Sequence, residues 1–119
     1  MNVVCYFRVS TDKQAESGLG IEAQKQAVEG FCARQGLSVV STHTDEGVSG
    51  KTNLQDRPAL LDAFASLEET AAQAIVVAKI DRLSRDILIQ LTLEKTLEQL
   101  GARLISAAGE GTEDESPQS

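Results

Sequence analysis

The chain has 119 residues, of which 41% are hydrophobic, and its formal net charge is −7. A chain of this length can form one domain with an ordinary apolar core, without help from a metal or disulfides. The negative charge argues against a protein that binds nucleic acid electrostatically over its whole surface. The apolar runs are too short to cross a bilayer and the N-terminus lacks a secretory signal, so we expect a soluble, cytoplasmic protein.

The composition gives little support to metal or disulfide chemistry. Cys5 lies in the first apolar run and Cys32 in a helical pattern, so both are expected to be buried core residues. The single histidine, His43, has no Cys/His cluster around it and is interpreted as a polar residue at a strand end. We therefore predict neither a metal nor a cofactor.

Short β-branched runs alternate with longer segments of helical period along the chain, which is typical of a parallel sheet covered by helices. The predicted fold is three-layer α/β, with a mostly parallel sheet of four to five strands and helices on both faces. The predicted strands are Asn2–Arg8, Leu37–His43, Ala74–Ala78 and Arg103–Ala107. The predicted helices are Ile21–Gln35, a second that begins at Pro58 and includes Leu67, and Ile87–Leu100.

The third predicted helix has apolar residues on more than one face, which favours either a partner surface or deep burial. Two polar stretches, 10–20 and 44–57, are longer than simple connections need and are interpreted as functional or mobile loops. After residue 109 the chain becomes acidic and polar, with four acidic residues and no basic one. We predict that residues 110–119 form a disordered tail.

Two glycine patterns resemble nucleotide-binding motifs. The run from Gly18 to Ala23 matches the spacing of a dinucleotide fingerprint, but it lies too far from the preceding strand to place a pyrophosphate at the helix N-terminus. Gly50-Lys51-Thr52 resembles the end of a phosphate-binding loop, but Asp45 occupies the position of its first glycine. We interpret both patterns as coincidental.

The informative segments follow the first and third predicted strands and read Tyr6-Phe7-Arg8-Val9-Ser10-Thr11 and Lys79-Ile80-Asp81-Arg82-Leu83-Ser84-Arg85-Asp86. The carboxyl ends of parallel strands meet at one edge, where open α/β sheets bind their ligands. A serine hydroxyl can replace one ester linkage of a phosphodiester, while planar guanidiniums bind the charge of the transition state. The residue types therefore suit phosphoryl transfer. A Ser-His-Asp hydrolase is disfavoured, because His43 lies in no matching motif.

Together these segments resemble the catalytic domain of the serine recombinases, the resolvase and invertase family. The resemblance extends from Val3 to about Gly111 and includes Ile21-Glu22-Ala23-Gln24 and Asp56-Arg57-Pro58. It implies that residues 1–109 form a recombinase catalytic domain.

The resemblance also implies a role for each matching residue. Ser10 would attack the scissile phosphodiester and form a covalent phosphoserine link to the DNA end, which allows rejoining without ATP. The implied catalytic residues are Ser10, Arg8, Arg57, Arg82, Arg85 and Asp81, with Gln24 and Lys79 as DNA-binding or supporting residues.

The family acts on DNA as homodimers that pair into a synaptic tetramer. Its members follow this domain with a long interface helix and a DNA-binding domain, and the 119 residues include neither. We therefore expect the isolated chain to be inactive.

Each of these residues also has a structural interpretation. Ser10 could cap a helix or loop, and Arg57 before a proline could be an extended, solvated residue. Asp81 with a neighbouring arginine could form a surface ion pair of little energetic value, and Gln24 could be a polar residue on an exposed helix face. Two other functions stay open: an inactive regulatory or assembly module that retains the fold, and a nucleotide-binding domain.

Overall fold

The structure, a computed structural model, describes residues 1–9, 21–49, 51–84 and 86–109. Its strands and helices, in chain order, are β1 (Asn2–Val9), α1 (Ile21–Gln35), β2 (Ser38–Glu46), α2 (Pro58–Thr70), β3 (Ala74–Val77), α3 (Ile80–Leu83), α4 (Ile87–Gln99) and β4 (Arg103–Ser106). A 3-10 turn, Leu54–Asp56, immediately precedes α2.

The four strands form one parallel sheet in the order β2-β1-β3-β4. β1 is central and is buried on both faces from Val3 to Arg8, as expected for a strand covered by helices on both sides. The predicted α/β fold, with a mostly parallel sheet and helices on both faces, is confirmed.

Alternate residues of β1 divide the core into two halves, because successive side chains of a strand point to opposite faces. Val3, Cys5 and Phe7 pack in one cluster with Val28 and Cys32 of α1. The residues between them pack in a second cluster with α2 and α4, whose buried members include Val4, Tyr6, Leu60, Ala63, Leu67, Leu93 and Leu97. Arg8 follows Tyr6 by two residues and therefore emerges on the face covered by α2 and α4.

Most predicted boundaries lie within one residue of the observed ones, and β2 is the main correction. The strand was predicted to end at His43, but it continues to Glu46, three residues into the stretch predicted as a loop. The extension occurs because β2 pairs with β1 along its whole length, up to Val9 opposite Glu46. The short helix α3 was not predicted.

The helix α4 is capped by the last residue of the Lys79–Asp86 segment. The side chain of Asp86 accepts hydrogen bonds from the backbone N–H groups of Leu88 and Ile89, at 2.9 and 3.3 Å. One face of α4 is buried at Leu93 and Leu97. Three large apolar residues of its first turns are instead exposed: Ile87 (67%), Leu88 (70%) and Leu91 (54%). Deep burial of the whole helix is therefore excluded, while the partner surface stays a prediction.

None of the helices in the described ranges combines the length and the apolarity that are needed to span a bilayer.

Both cysteines are buried free thiols, as predicted. Burial, together with the neighbouring Cys32, raises the pKa of the Cys5 thiol to about 12, and burial also raises the pKa of Cys32. Because the folded state favours the neutral thiol, this contribution to stability is complete below the ordinary pKa of 9.0 and is lost as pH rises towards 12.

We therefore expect the free energy of unfolding to fall between pH 9 and pH 12. Urea denaturation at a series of pH values measures this dependence. Cys5→Ala should flatten the curve over the same interval, because it removes the perturbed thiol. A curve of unchanged steepness in the variant would contradict the assignment to Cys5.

Candidate active site at the carboxyl edge of the sheet

The strand order places a topological switch point between β1 and β3, because the chain passes from β1 to β2 on one side and then returns to β3 on the other. In open α/β sheets the crevice at such a point, beyond the carboxyl ends of the strands, is the usual binding site. The described residues at this edge include two arginines that are almost fully buried. Arg8 is 1% exposed and Arg57 is 0% exposed.

Arg8 is the penultimate residue of β1 and lies opposite Asp45 in the pairing with β2. Its Nη1 donates a hydrogen bond of 2.8 Å to the carbonyl of Val48. The same loop is attached to β1 by its backbone, since the N–H groups of Gly47 and Val48 both donate to the carbonyl of Val9. The connection after β2 is therefore folded back over the end of β1, and Arg8 is part of this attachment.

Arg57 precedes α2 and joins two separate loops. Its Nε donates to the carbonyl of Thr52 at 3.0 Å, and its Nη1 donates to the carbonyl of Leu83 at 2.5 Å. Thr52 belongs to the β2–α2 connection, whereas Leu83 ends α3 inside the Lys79–Asp86 segment. One guanidinium thus holds both loops at the carboxyl edge.

Asp45, near the end of β2, fixes the start of α2. No side chain caps this helix locally, since its N-cap residue is Arg57. The carboxylate of Asp45 instead accepts from the backbone N–H groups of Ala59 and Leu60, at 2.9 and 3.2 Å. These N–H groups have no partner within the helix, and a negative charge there also interacts favourably with the helix dipole. Asp45 therefore determines where α2 begins, immediately after Arg57.

The same carboxylate accepts a 2.9 Å hydrogen bond from the hydroxyl of Tyr6, in the buried layer between the sheet and α2. Burial raises the pKa of the Tyr6 phenol above its ordinary value, and Asp45 raises it further, while Arg57 acts in the opposite direction. Tyr6 is therefore a neutral donor to Asp45 at physiological pH. Tyr6, Asp45 and Arg57 form a connected polar group beneath the carboxyl edge.

Gln24 was predicted to contribute a polar contact, with an exposed helix position as the alternative. The structure places it in α1 with 1% exposure, and its Nε2 donates to the backbone carbonyl of Arg8 at 3.2 Å. An exposed polar position is thus excluded. Gln24 holds the end of β1 from the side opposite to α2.

The other predicted site residues are described to different extents. Lys79 follows β3, is half-buried and directly precedes α3. Asp81 and Arg82 belong to α3, but their side chains lie outside the described part of the chain. Ser10 and Arg85 lie outside the described residues, as do the predicted loop 10–20 and the predicted tail 110–119. The structure therefore gathers Arg8, Arg57 and Gln24 at one edge, and the roles of all these residues stay predictions.

Sequence reasoning missed the structural role of Asp45 and Tyr6. Asp45 was considered only as the residue that breaks the phosphate-binding loop pattern, and Tyr6 only as part of a motif. The sequence showed only that Tyr6 and Arg8 share a face of β1 and that Asp45 follows the predicted second strand, which did not identify their contact. Among the described residues no three His, Cys, Asp or Glu side chains are grouped as metal ligands would be.

A family model described as the resolvase N-terminal domain matches residues 3–119. A putative DNA recombinase of Bacillus subtilis (strain 168) is 35% identical over 112 residues, which are 91% of this chain and 21% of that protein. The uncharacterized immunity region protein 3 of Bacillus phage phi105 is 44% identical over 50 residues, which are 42% of this chain and 61% of that protein. The chain thus spans about a fifth of the first relative's length and about three fifths of the second's.

Solved structures give the same result. The N-terminal catalytic domain of TP901-1 integrase superposes with a TM-score of 0.79 and 33% identity, over 91% of this chain and 79% of that one. A resolvase family site-specific recombinase from Streptococcus pneumoniae has a TM-score of 0.72 and 27% identity, over 91% and 72% of the two chains. Since the family model covers nearly the whole sequence, the chain belongs to the resolvase N-terminal domain family, the catalytic domains of the serine recombinases.

Proposed function

We propose that the chain is the catalytic domain of a site-specific DNA recombinase and that Ser10 is its nucleophile. The observation that supports this most directly is that Arg8 and Arg57 are both buried at the carboxyl edge, where β1 ends at Val9, one residue before Ser10 in the sequence. Two arginines from distant parts of the chain are held there by backbone carbonyls. Arginine is suited to phosphodiester chemistry because its planar fork binds two phosphate oxygens and stays protonated.

In the proposed reaction the Ser10 oxygen attacks the phosphorus of a DNA phosphodiester. A bond forms between Ser10 and phosphorus, and the bond to one sugar oxygen breaks, which releases a sugar hydroxyl. Attack by such a hydroxyl on the phosphoserine reverses the step and rejoins the strand. The ester bond is conserved throughout, so no ATP is needed. The guanidiniums of Arg8, Arg57, Arg82 and Arg85 stabilise the charge on the transferring phosphoryl group.

DNA is the proposed substrate, and a second copy of the chain is the proposed partner. The exposed apolar residues of α4, Ile87, Leu88 and Leu91, form a surface suited to pairing of two copies. The net charge of −7 means that affinity for DNA depends on local basic groups and on regions of the protein beyond this domain.

The test uses the full protein that carries this domain, incubated with DNA from its own attachment region and analysed on denaturing gels. We expect a covalent protein–DNA adduct that disappears in Ser10→Ala. Ser38→Ala, an exposed serine at the start of β2, is the matched control and should leave the adduct unchanged. An adduct of wild-type yield in Ser10→Ala would refute Ser10 as the nucleophile.

One observation favours a second candidate, an inactive module that retains the fold for regulation or assembly. Both buried guanidiniums donate to backbone carbonyls, which is also how arginines hold loops in a purely structural role. This candidate predicts no adduct with any DNA. In that case substitution of Arg57 should change stability only.

A further inference from the structure

The pairing of β2 with β1 contains one irregularity. Val3 lies opposite Val39, but the next residue, Val4, lies opposite Ser41, so Val40 is an extra residue on the β2 side. Such a β-bulge moves every following side chain to the other face of the sheet. The bulge lies near the amino end of β1, so it affects the carboxyl edge only through the register of the residues that follow it.

The bulge determines which residues of β2 face α2. After it, Ser41, His43 and Asp45 lie on the face shared by Val4, Tyr6 and Arg8, as their contacts with α2 show. A pairing without the bulge would instead join Val4 with Val40, Tyr6 with Thr42 and Arg8 with Thr44. Asp45 would then point to the opposite face, away from Tyr6 and from the start of α2.

The hydrophobic pattern of β2 favours the pairing without the bulge. Val40 is 39% exposed and Val39 is 44% exposed in the observed register. Removing the bulge would place the β-branched side chains of Val40, Thr42 and Thr44 beneath α2, in place of two polar residues and a carboxylate. Because β2 is an edge strand of the sheet formed by the described residues, its register depends on its pairing with β1 and on contacts with α2, among them the hydrogen bonds of Asp45.

A polar cluster on the α2 side accompanies the bulged register. The Oγ of Ser41 lies 2.9 Å from Nε2 of His43 and 2.7 Å from Oγ of Ser66, which is 8% exposed in α2. His43 therefore lies within β2 rather than at its end. The Ser41–Ser66 contact can form only if residue 41 faces α2, so it exists in the bulged register and is lost in the other, whereas Ser41 and His43 share a strand face in both.

We propose that the contact between Ser41 and Ser66 acts together with Asp45 as a register lock that keeps β2 in the bulged pairing, and that Ser41 and Ser66 are thereby positioning residues for Asp45 and, through α2, for Arg57. The register lock concerns the fold and does not depend on the proposed function. Only its effect on catalysis, through Arg57, rests on the recombinase activity.

Tyr6 reports on the register directly, because it is the single tyrosine and the chain has no tryptophan. In the bulged register its hydroxyl is bonded to Asp45 in the core, and in the other register it loses this partner. The experiment follows phenolate absorbance as pH is raised, with far-UV circular dichroism at each pH to confirm that the helices persist. In the wild type we expect no phenolate while the helices are intact, up to well above the ordinary tyrosine pKa of about 10.

Ser41→Ala removes the contact with Ser66 and is expected to lower the pH at which phenolate forms, with the helices intact, because Tyr6 loses Asp45 but stays buried. Thr42→Ala, an exposed neighbour on the same strand, should titrate like the wild type. Adding Val40→Lys to Ser41→Ala should restore the wild-type titration, because a lysine cannot take the buried place that Val40 would occupy after the slip. Ser66→Ala removes the same contact from the α2 side and provides the same comparison if Ser41→Ala does not fold.

The proposal would be overturned if folded Ser41→Ala and Ser66→Ala both titrate like the wild type. It would also be overturned if Val40→Lys does not restore the wild-type titration to Ser41→Ala. In the full protein, adduct formation should fall roughly 10- to 100-fold in Ser41→Ala and recover with Val40→Lys, as expected for a displaced catalytic arginine. If the wild type forms no adduct, the proposed function fails while the titration still decides the register lock.

Discussion

Asp45→Ala is expected to lower the free energy of unfolding by about 3–5 kcal/mol, which is a large part of the stability of a single domain. The carboxylate is 4% exposed and accepts three hydrogen bonds, from Tyr6 and from the backbone N–H groups of Ala59 and Leu60. Without it, three donors lose their acceptor, two of them buried and one partly buried, and each unsatisfied buried donor costs about 1–3 kcal/mol. The start of α2 also loses its only described cap.

Urea denaturation followed by circular dichroism measures this loss. Glu68→Ala, at an exposed position of α2, is the matched control and should change stability by no more than about 0.5 kcal/mol. Tyr6→Phe removes one of the three donors without leaving an unpaired hydroxyl, so it should cost about 1 kcal/mol. A loss below about 1 kcal/mol for Asp45→Ala would show that water replaces the carboxylate at the start of α2.

Arg57→Lys is expected to slow covalent adduct formation by about 10²–10³-fold while the domain still folds. The guanidinium of Arg57 donates to the carbonyl of Thr52 through Nε and to the carbonyl of Leu83 through Nη1. The proposed function requires its planar set of N–H donors to bind the phosphate. A lysine ammonium is a single point charge that cannot bond both carbonyls in this geometry. The substitution therefore keeps the positive charge but removes the planar arrangement of N–H donors.

Single-turnover adduct formation on denaturing gels measures the rate, and a urea titration of the same variant measures its stability. Arg34→Lys, on the exposed last turn of α1, serves as the control and should react at the wild-type rate. If Arg57→Lys reacts within about three-fold of the wild type, Arg57 holds the loops but does not act on the phosphate.

The sheet and most helix boundaries could be predicted because they depend on local patterns. The run from Val3 to Phe7 is apolar throughout, which indicates a strand buried on both faces, and Gly36 marks the end of α1 with a φ of 71°. The end of β2 could not be predicted in the same way. Its last residues are polar, and they are strand only because β1 continues alongside them.

The residues of the candidate site also differ in whether the sequence or only the folded chain identifies them. Arg8 belongs to the serine-containing motif, which suggests phosphate chemistry, whereas Arg57 was predicted only from the resemblance to the serine recombinases; the burial of neither was evident from the sequence. Asp45 was not recognisable as a structural residue, since its three partners come from β1 and α2 and only the folded chain brings them together. Gln24 likewise gained a defined contact only through the packing of α1 on the end of β1.

The central position of β1 also has a consequence during synthesis on the ribosome. The first strand to emerge is the one that needs partners on both sides, and its second partner, β3, is made only when the chain has reached Val77. Until then the apolar residues from Val3 to Phe7 have one open edge, which is a template for pairing with other chains. A nascent chain that stalls after α2 should therefore be prone to aggregation, and the domain should fold only after its β3 segment has left the exit tunnel.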